Sequence, residues 1–294
     1  MRPKLTIVVA CTGRKSAPAT RECLVRHLPE LSLAERHDIW RHRLDENQDK
    51  MPVSDLYAGD AWRRTEAVLA AAASAGFEPT LFVASAGLGL VEASTLAPAY
   101  GATFTTGHAD SVADSVAGKR DWWTQFSITK GKTLPHVGGD ATLVVLSEAY
   151  ASALDEDLTQ LAATPGDHLL VGGSREVPGL TRLRSDIGLR HKLGGTAMSL
   201  NLRMAEAWLK ALTEPKLSDT LTMSRWMTWA DGARRTEHYD RQPLSDAQVL
   251  EFIHGLRSQQ SAVPRTRALQ ILRESGLACE QTRFANLFAE GVTA

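Results

Sequence analysis

Four short apolar runs stand out along the chain: Leu5–Ala10, Thr80–Ala84, Thr142–Leu146 and His168–Gly172. Each is rich in Val and Leu, lacks polar alternation, and ends in small or polar residues. Unbroken runs of this kind predict strands buried on both faces, as in a parallel sheet. The intervening segments follow a helical period instead. Residues 60–75 place Ala61, Thr65, Val68, Ala72 and Ala75 on one face before Gly76, a natural stop. Residues 196–212 place Met198, Leu202, Ala205, Leu209 and Leu212 at steps of four and three, again one apolar face. Strand–helix alternation with right-handed crossovers predicts an α/β domain over residues 1–213, a four-stranded parallel sheet sandwiched by helices.

The pattern changes after residue 213. Residues 214–243 hold Pro215, several Ser and Thr, then Trp226 and Trp229, and read as a connector packed on the first domain through its tryptophans. From 244 to 294 the chain reads as a small helical domain. Ser245 and Gln248 predict a capping box, with Leu244 and Val249 as the hydrophobic staple around it. A second helix is expected from about Pro264 to Ser275, stopping at Gly276, and a third from near Cys279 carrying Phe284, Leu287 and Phe288.

Composition narrows the function classes. The 294 residues are 43% hydrophobic and 23% charged, with a formal net charge of −1, so a real core is expected and a uniform polyanion-binding coat is not. Local basic clusters remain: Arg14, Lys15, Arg21 and Arg26 early, then Arg175, Arg182, Arg184, Arg190 and Lys192. The three cysteines, Cys11, Cys23 and Cys279, have no paired spacing, as a reducing compartment permits. With no signal-peptide pattern and no apolar run of membrane-spanning length, the expectation is a cytoplasmic protein without a membrane partner.

In an open parallel sheet, ligands bind beyond the carboxyl ends of the strands. The four segments there are Cys11–Ser16, Ser85–Val91, Ser147–Tyr150 and Gly173–Glu176, small, polar or cationic throughout. Together they would line a cleft for an anionic, hydroxyl-rich ligand such as a nucleotide. Familiar motifs fail here. The 12–16 segment lacks the glycine spacing of a phosphate loop, Gly87-Leu88-Gly89 lacks a third glycine, and 172–176 lacks the closing glycine of a nucleophile elbow. There is no zinc-type His or Cys pairing, so no metal and no cofactor is expected.

Two carboxylates stand out. Asp60 opens the helix after Ser54-Asp55-Leu56-Tyr57-Ala58-Gly59, where it either caps that helix or serves a site. Asp186 follows Arg182-Leu183-Arg184-Ser185, as either a surface ion pair or a site acid, with Asn201 expected to point back to the same cleft. Trp122 and Trp123 are candidates for base stacking or core, and Tyr100 for stacking or packing. His37 and His42 are expected to be solvated, and Cys11 to be a small residue at a strand end without a nucleophile's partner.

A strand followed by Cys11, Arg14 and Lys15, then Asp55-Leu56-Tyr57 with Gly59, then Ser85-Ala86-Gly87 with Gly89-Leu90, and Pro98 with Tyr100, resembles the uracil-DNA-glycosylase-like superfamily. Within it the chain is similar to bacterial anti-phage DNA glycosylases that act on glucosylated hydroxymethylcytosine. The resemblance covers roughly residues 5–210, without the Gly-Gln-Asp-Pro-Tyr and His-Pro-Ser loops of uracil-removing enzymes. It implies excision of a modified base from phage DNA. An N-glycosidic bond breaks through an oxocarbenium-like state, so Asp60 or Asp186 would stabilise that cation or orient water. Arg14, Lys15 and Arg184 would grip phosphates, Tyr57 or Tyr100 would hold the flipped base, and Ser85, Gly87, Ser174 and Asn201 would line the substrate site.

Two other readings stay open: an enzyme processing free nucleosides or nucleotides, and a non-enzymatic DNA-binding protein. For the latter, Ser275-Gly276-Leu277-Ala278 joins two helices as in a helix-turn-helix, with Gln281 and Arg283 facing outward and Arg175 and Arg182 as further DNA contacts. Against it, residues 214–294 carry ten basic and ten acidic residues, which favours a helical bundle with a packing role.

Overall fold

All four apolar runs form neighbouring strands of one sheet in the computed structural model, which describes residues 2–235, 241–260 and 263–293. In chain order the strands are β1 (Lys4–Ala10), β2 (Lys50–Pro52), β3 (Glu78–Ser85), β4 (Gly89–Glu92), β5 (Leu96–Pro98), β6 (Ala141–Leu146), β7 (Asp167–Gly172) and β8 (Thr181–Leu183). The sheet has the order β4-β3-β1-β6-β7-β8. β3, β1, β6, β7 and β8 run parallel and β4 runs antiparallel to β3. Burial matches the run pattern: all six residues of β6 are buried, as are Leu5–Val9 of β1.

The sheet therefore has six strands, not four. β4 and β8 are short edge strands whose pairing is set by their neighbours, so neither leaves a readable apolar run of its own. β2 and β5 form a separate antiparallel pair.

Chain order along the sheet reverses between β1 and β6. The route from β1 to β3 moves one way and the route from β6 through β7 to β8 moves the other, so right-handed crossovers put their helices on opposite faces. The helix Asp60–Ser74 packs on Leu200–Ala211 and on β1 and β3, while Leu33–Glu46, Val116–Lys130 and Glu148–Ala153 pack in succession. The result is an α/β fold with a mostly parallel central sheet flanked by helices.

The chain divides into two compact units, residues 1–235 and 236–294. The segment after residue 213 thus belongs to the first unit as far as Arg235. Asp167, at the start of β7, accepts hydrogen bonds from the backbone N–H groups of Leu217 and Ser218, which anchors that segment. A helix follows at Thr220–Ala233, capped by Asp219, and its Trp226 ring sits 5.7 Å from Trp208. Trp226 packs on the first domain from a regular helix rather than an irregular connector, whereas Trp229 is exposed and lies against Trp226.

In the second unit, Asp246–Gln259, Arg265–Glu274 and Gln281–Thr293 are helices. The capping box forms between Ser245 and Gln248. Ile253, Ala268, Leu272 and Phe284 make its core. Two short strands, β9 (Gln242–Pro243) and β10 (Leu277–Ala278), pair beside the second helix. Among the described residues no helix is long and apolar enough to cross a membrane.

Candidate functional site at the sheet switch point

The reversal between β1 and β6 makes the crevice beyond their carboxyl ends the expected ligand position. Here that crevice is bridged by side chains. Cys11, just past β1, lies with Sγ 3.0 Å from the hydroxyl of Tyr150, on the helix after β6. Next to this bridge, Ser85 at the end of β3 is 2.5 Å from the Tyr100 hydroxyl, and Tyr100 is 2.6 Å from that of Tyr57. Three of the chain's four tyrosines meet here, each nearly fully buried. Burial, reinforced by the nearby Cys11, pushes all three phenols well above the ordinary tyrosine value, so they stay neutral.

The turn after β3 is clamped from behind. Trp40 Nε1 donates to Gly87 O at 2.8 Å, and Trp122 Nε1 donates to Ala86 O at 2.7 Å. A Cβ on Gly87 would lie 2.5 Å from the Tyr100 ring, so the close approach of turn and ring requires glycine here. Trp122 and Trp123 are both core residues and offer no face for a base.

The loop after β1 pairs with the segment that opens the helix at Asp60. Lys15 and Tyr57 form an antiparallel bridge, and Ala58 N donates to Arg14 O at 3.0 Å. Successive side chains in such extended backbone point to opposite sides. Arg14 accordingly lies exposed, its stem near Gly59, while Lys15 turns inward. Gly59, with φ of +96°, is the N-cap, a backbone state that suits glycine. Lys15 Nζ donates to Thr12 O at 2.8 Å and lies 4.3 Å from the Tyr100 ring centre and 5.2 Å from that of Tyr57. Burial pulls its ammonium below the usual lysine value, against the opposing charges of Cys11 and Asp110.

Asp110 carries no mark of its role in the sequence around it. It is buried, and Arg26 grips it through Nε at 2.8 Å and Nη2 at 2.5 Å. Desolvation would raise its carboxyl, but the Arg26 bonds hold it below the usual value. No local pattern marks this pair, since it joins residues on two distant loops.

The two candidate acids have different partners. Asp60 is a third exposed and accepts from Arg203 at 3.4 Å, and the nearby Ser199 hydroxyl together with Arg203 holds its carboxyl below the ordinary range. Asp186 caps the turn Ile187–Leu189 through Gly188 N at 2.9 Å and accepts from Arg234 Nε at 2.6 Å. The ion pair it forms is thus with Arg234 and not with its sequence neighbours Arg182 and Arg184. Those two converge on Glu176, each at 2.6 Å, and Arg182 also donates to Gly173 O. Arg182 is therefore a buried tie across a loop and not a free DNA contact, while Arg184 remains largely exposed. Asn201 does reach the carboxyl end of β6, donating to Leu146 O at 2.8 Å, and its Oδ1 is buried without a hydrogen bond.

Ser174 and Arg175 line a recess of about 130 Å³ shared with Arg120 and Asp155, and no tyrosine lines it. Arg175 pairs with Asp155. Arg283, expected to face outward, instead donates to Asp246 at 2.6 Å and to Leu244 O at 2.9 Å, because the two helix starts it joins lie side by side. Gln281, at the start of the same helix, is exposed. His37 is not solvated but fully buried, edge-on to Trp122 and Phe126, whereas His42 is exposed beside Glu46.

Among the described residues, no group of His, Cys, Asp and Glu side chains is arranged to hold a metal ion. Compared with known families, curated proteins and solved structures, the chain matches none of them.

Proposed function

We propose that the first unit is a DNA glycosylase that removes a modified base, such as glucosylated hydroxymethylcytosine, from phage DNA in anti-phage defence. The observation that carries this reading is the junction of the 11–15 loop with residues 57–60. It sets an exposed cation, Arg14, and an ionised, partly exposed carboxylate, Asp60, beside the switch point where α/β folds take nucleotides.

Chemistry follows from the charge pattern. As the C1′–N bond breaks, the base leaves with the bonding electrons and positive charge grows on the sugar. A fixed carboxylate stabilises that charge, and water then adds to C1′. Asp60 suits this role because its partners keep it anionic while leaving it open to solvent. Asp186, by contrast, is engaged in capping. Arg14 would neutralise a flanking phosphate, with Arg184 as a second exposed cation. Tyr57 and Tyr100 are both buried, so they would act through packing and not by stacking on a flipped base.

Incubating the purified protein with glucosylated phage DNA, then with alkali, tests the reading. Base release gives alkali-labile breaks, and intact strands from every modified and plain DNA would end it. The same edge would also serve hydrolysis of free nucleosides or nucleotides, and in that case duplex DNA would fail to compete with the small substrate.

A further inference from the structure

Lys15 is held unlike a surface lysine. Its amine projects inward from the loop at the carboxyl edge of β1, over the faces of two buried phenol rings, with Thr12 O as its hydrogen-bond acceptor. Arg14, the preceding residue, points the other way into solvent. Asp60 begins the helix that follows the strand-like segment paired with Lys15.

We propose that Lys15 is an amine nucleophile for the aldehyde of an abasic deoxyribose, giving the first unit a strand-cleaving β-lyase activity. The inference rests on the DNA-glycosylase reading and extends it beyond base release. Neutral Nζ adds to C1′ of the ring-opened sugar. The C1′ oxygen takes one proton from the amine and one from solvent and leaves as water, and a protonated imine remains. That cation draws electrons from the C2′–H bond, whose proton passes to solvent. A C2′=C3′ double bond forms as the C3′–O bond breaks, and the 3′ phosphate leaves with the electron pair. One water then hydrolyses the imine and restores the amine, so the water lost is regained.

The surroundings match both charge states in this sequence. Burial favours the uncharged amine, which holds the reactive lone pair. The Tyr100 ring face, 4.3 Å away, stabilises the cationic imine that follows. Lys130 provides an internal comparison: burial also lowers its ammonium, yet it lies over the Phe126 ring and not over a tyrosine, and donates to Leu88 O.

The experiment mixes the full chain with duplex DNA carrying a preformed abasic site, in the presence of borohydride, which reduces an imine to a stable bond. A covalent protein–DNA adduct is expected, with the DNA remnant mapped by mass spectrometry of tryptic peptides to Lys15. Lys15→Arg should lower adduct yield at least about tenfold, while Lys130→Met keeps it. No adduct with the unaltered protein, or one mapped to another lysine, overturns the proposal. Because the abasic site is supplied ready-made, failure here alongside base release from modified DNA removes only the lyase step. Failure of base release as well removes the glycosylase reading itself.

Discussion

The hydroxyls of Ser85 and Tyr100 lie 2.5 Å apart, while Ser85 Oγ also accepts from the backbone N–H groups of Gly87 and Leu88 at 3.1 and 3.0 Å. With its lone pairs so engaged, Ser85 directs its proton to Tyr100, whose oxygen in turn meets that of Tyr57. The relay joins the end of β3 to two segments distant in sequence, and its members have no contact with bulk water.

Ser85→Ala leaves two buried N–H groups and one phenol without their partner, and should cost about 2–4 kcal/mol. Tyr100→Phe removes a single hydroxyl and should cost about 1–2 kcal/mol. Urea unfolding midpoints measure both. An unchanged midpoint for Ser85→Ala would show that the relay does not support the turn.

Gly87→Ala puts a methyl group 2.5 Å from the Tyr100 ring and 3.2 Å from Trp40, neither of which can swing aside. Overpacking of this kind costs about 1–3 kcal/mol. Thermal unfolding reads the loss, and loss of the Tyr57–Tyr100 arrangement would appear in near-ultraviolet circular dichroism.

Asp60 and Asp186 should separate by phenotype. Asp60→Asn keeps the shape of the side chain but loses its charge, so base release should fall by about a hundredfold with folding little changed. Asp186→Ala removes a cap and the partner of Arg234, and should cost about 1 kcal/mol of stability with base release nearly intact. The reverse pattern would move the chemistry to Asp186.

His37 makes stability depend on acid. Its surroundings are Trp122 and Phe126 with the cations Arg41 and Lys130, opposed by Asp38; burial first, then those cations, lower its pKa to about 4. The unfolded chain takes up a proton near pH 6.5 that the folded one refuses, so stability falls from there towards pH 4, by about 3 kcal/mol. His37→Phe should flatten that part of the profile. Denaturant titrations of both proteins at pH 7 and pH 4.5 give the comparison.

Arg283→Ala should loosen the second unit by about 1 kcal/mol, through the lost bonds to Asp246 and Leu244, and leave duplex DNA affinity unchanged. A large drop in affinity would return this residue to base reading.

Residues 5–10, 80–84, 142–146 and 168–172, the helix opened by Asp60, and the capping box at Ser245 are all determined by the sequence itself. Their signals come from residues within one or two turns of each other: apolar runs, a 3.6 period, a cap and its third neighbour. So too is the polar character of the loops after each strand. The tertiary structure alone decided who meets whom in those loops. Cys11 and Tyr150 meet because β1 and β6 are neighbours at the point where strand order reverses, and Asp60 meets Arg203 because two helices pack on one face. From sequence Asp186 reads as an ion pair or a site acid and Arg182 and Arg283 as DNA contacts, yet packing alone chose the partner each one has. A charged side chain carries no sequence mark of the partner that folding brings to it, whereas an apolar strand carries its burial in every residue.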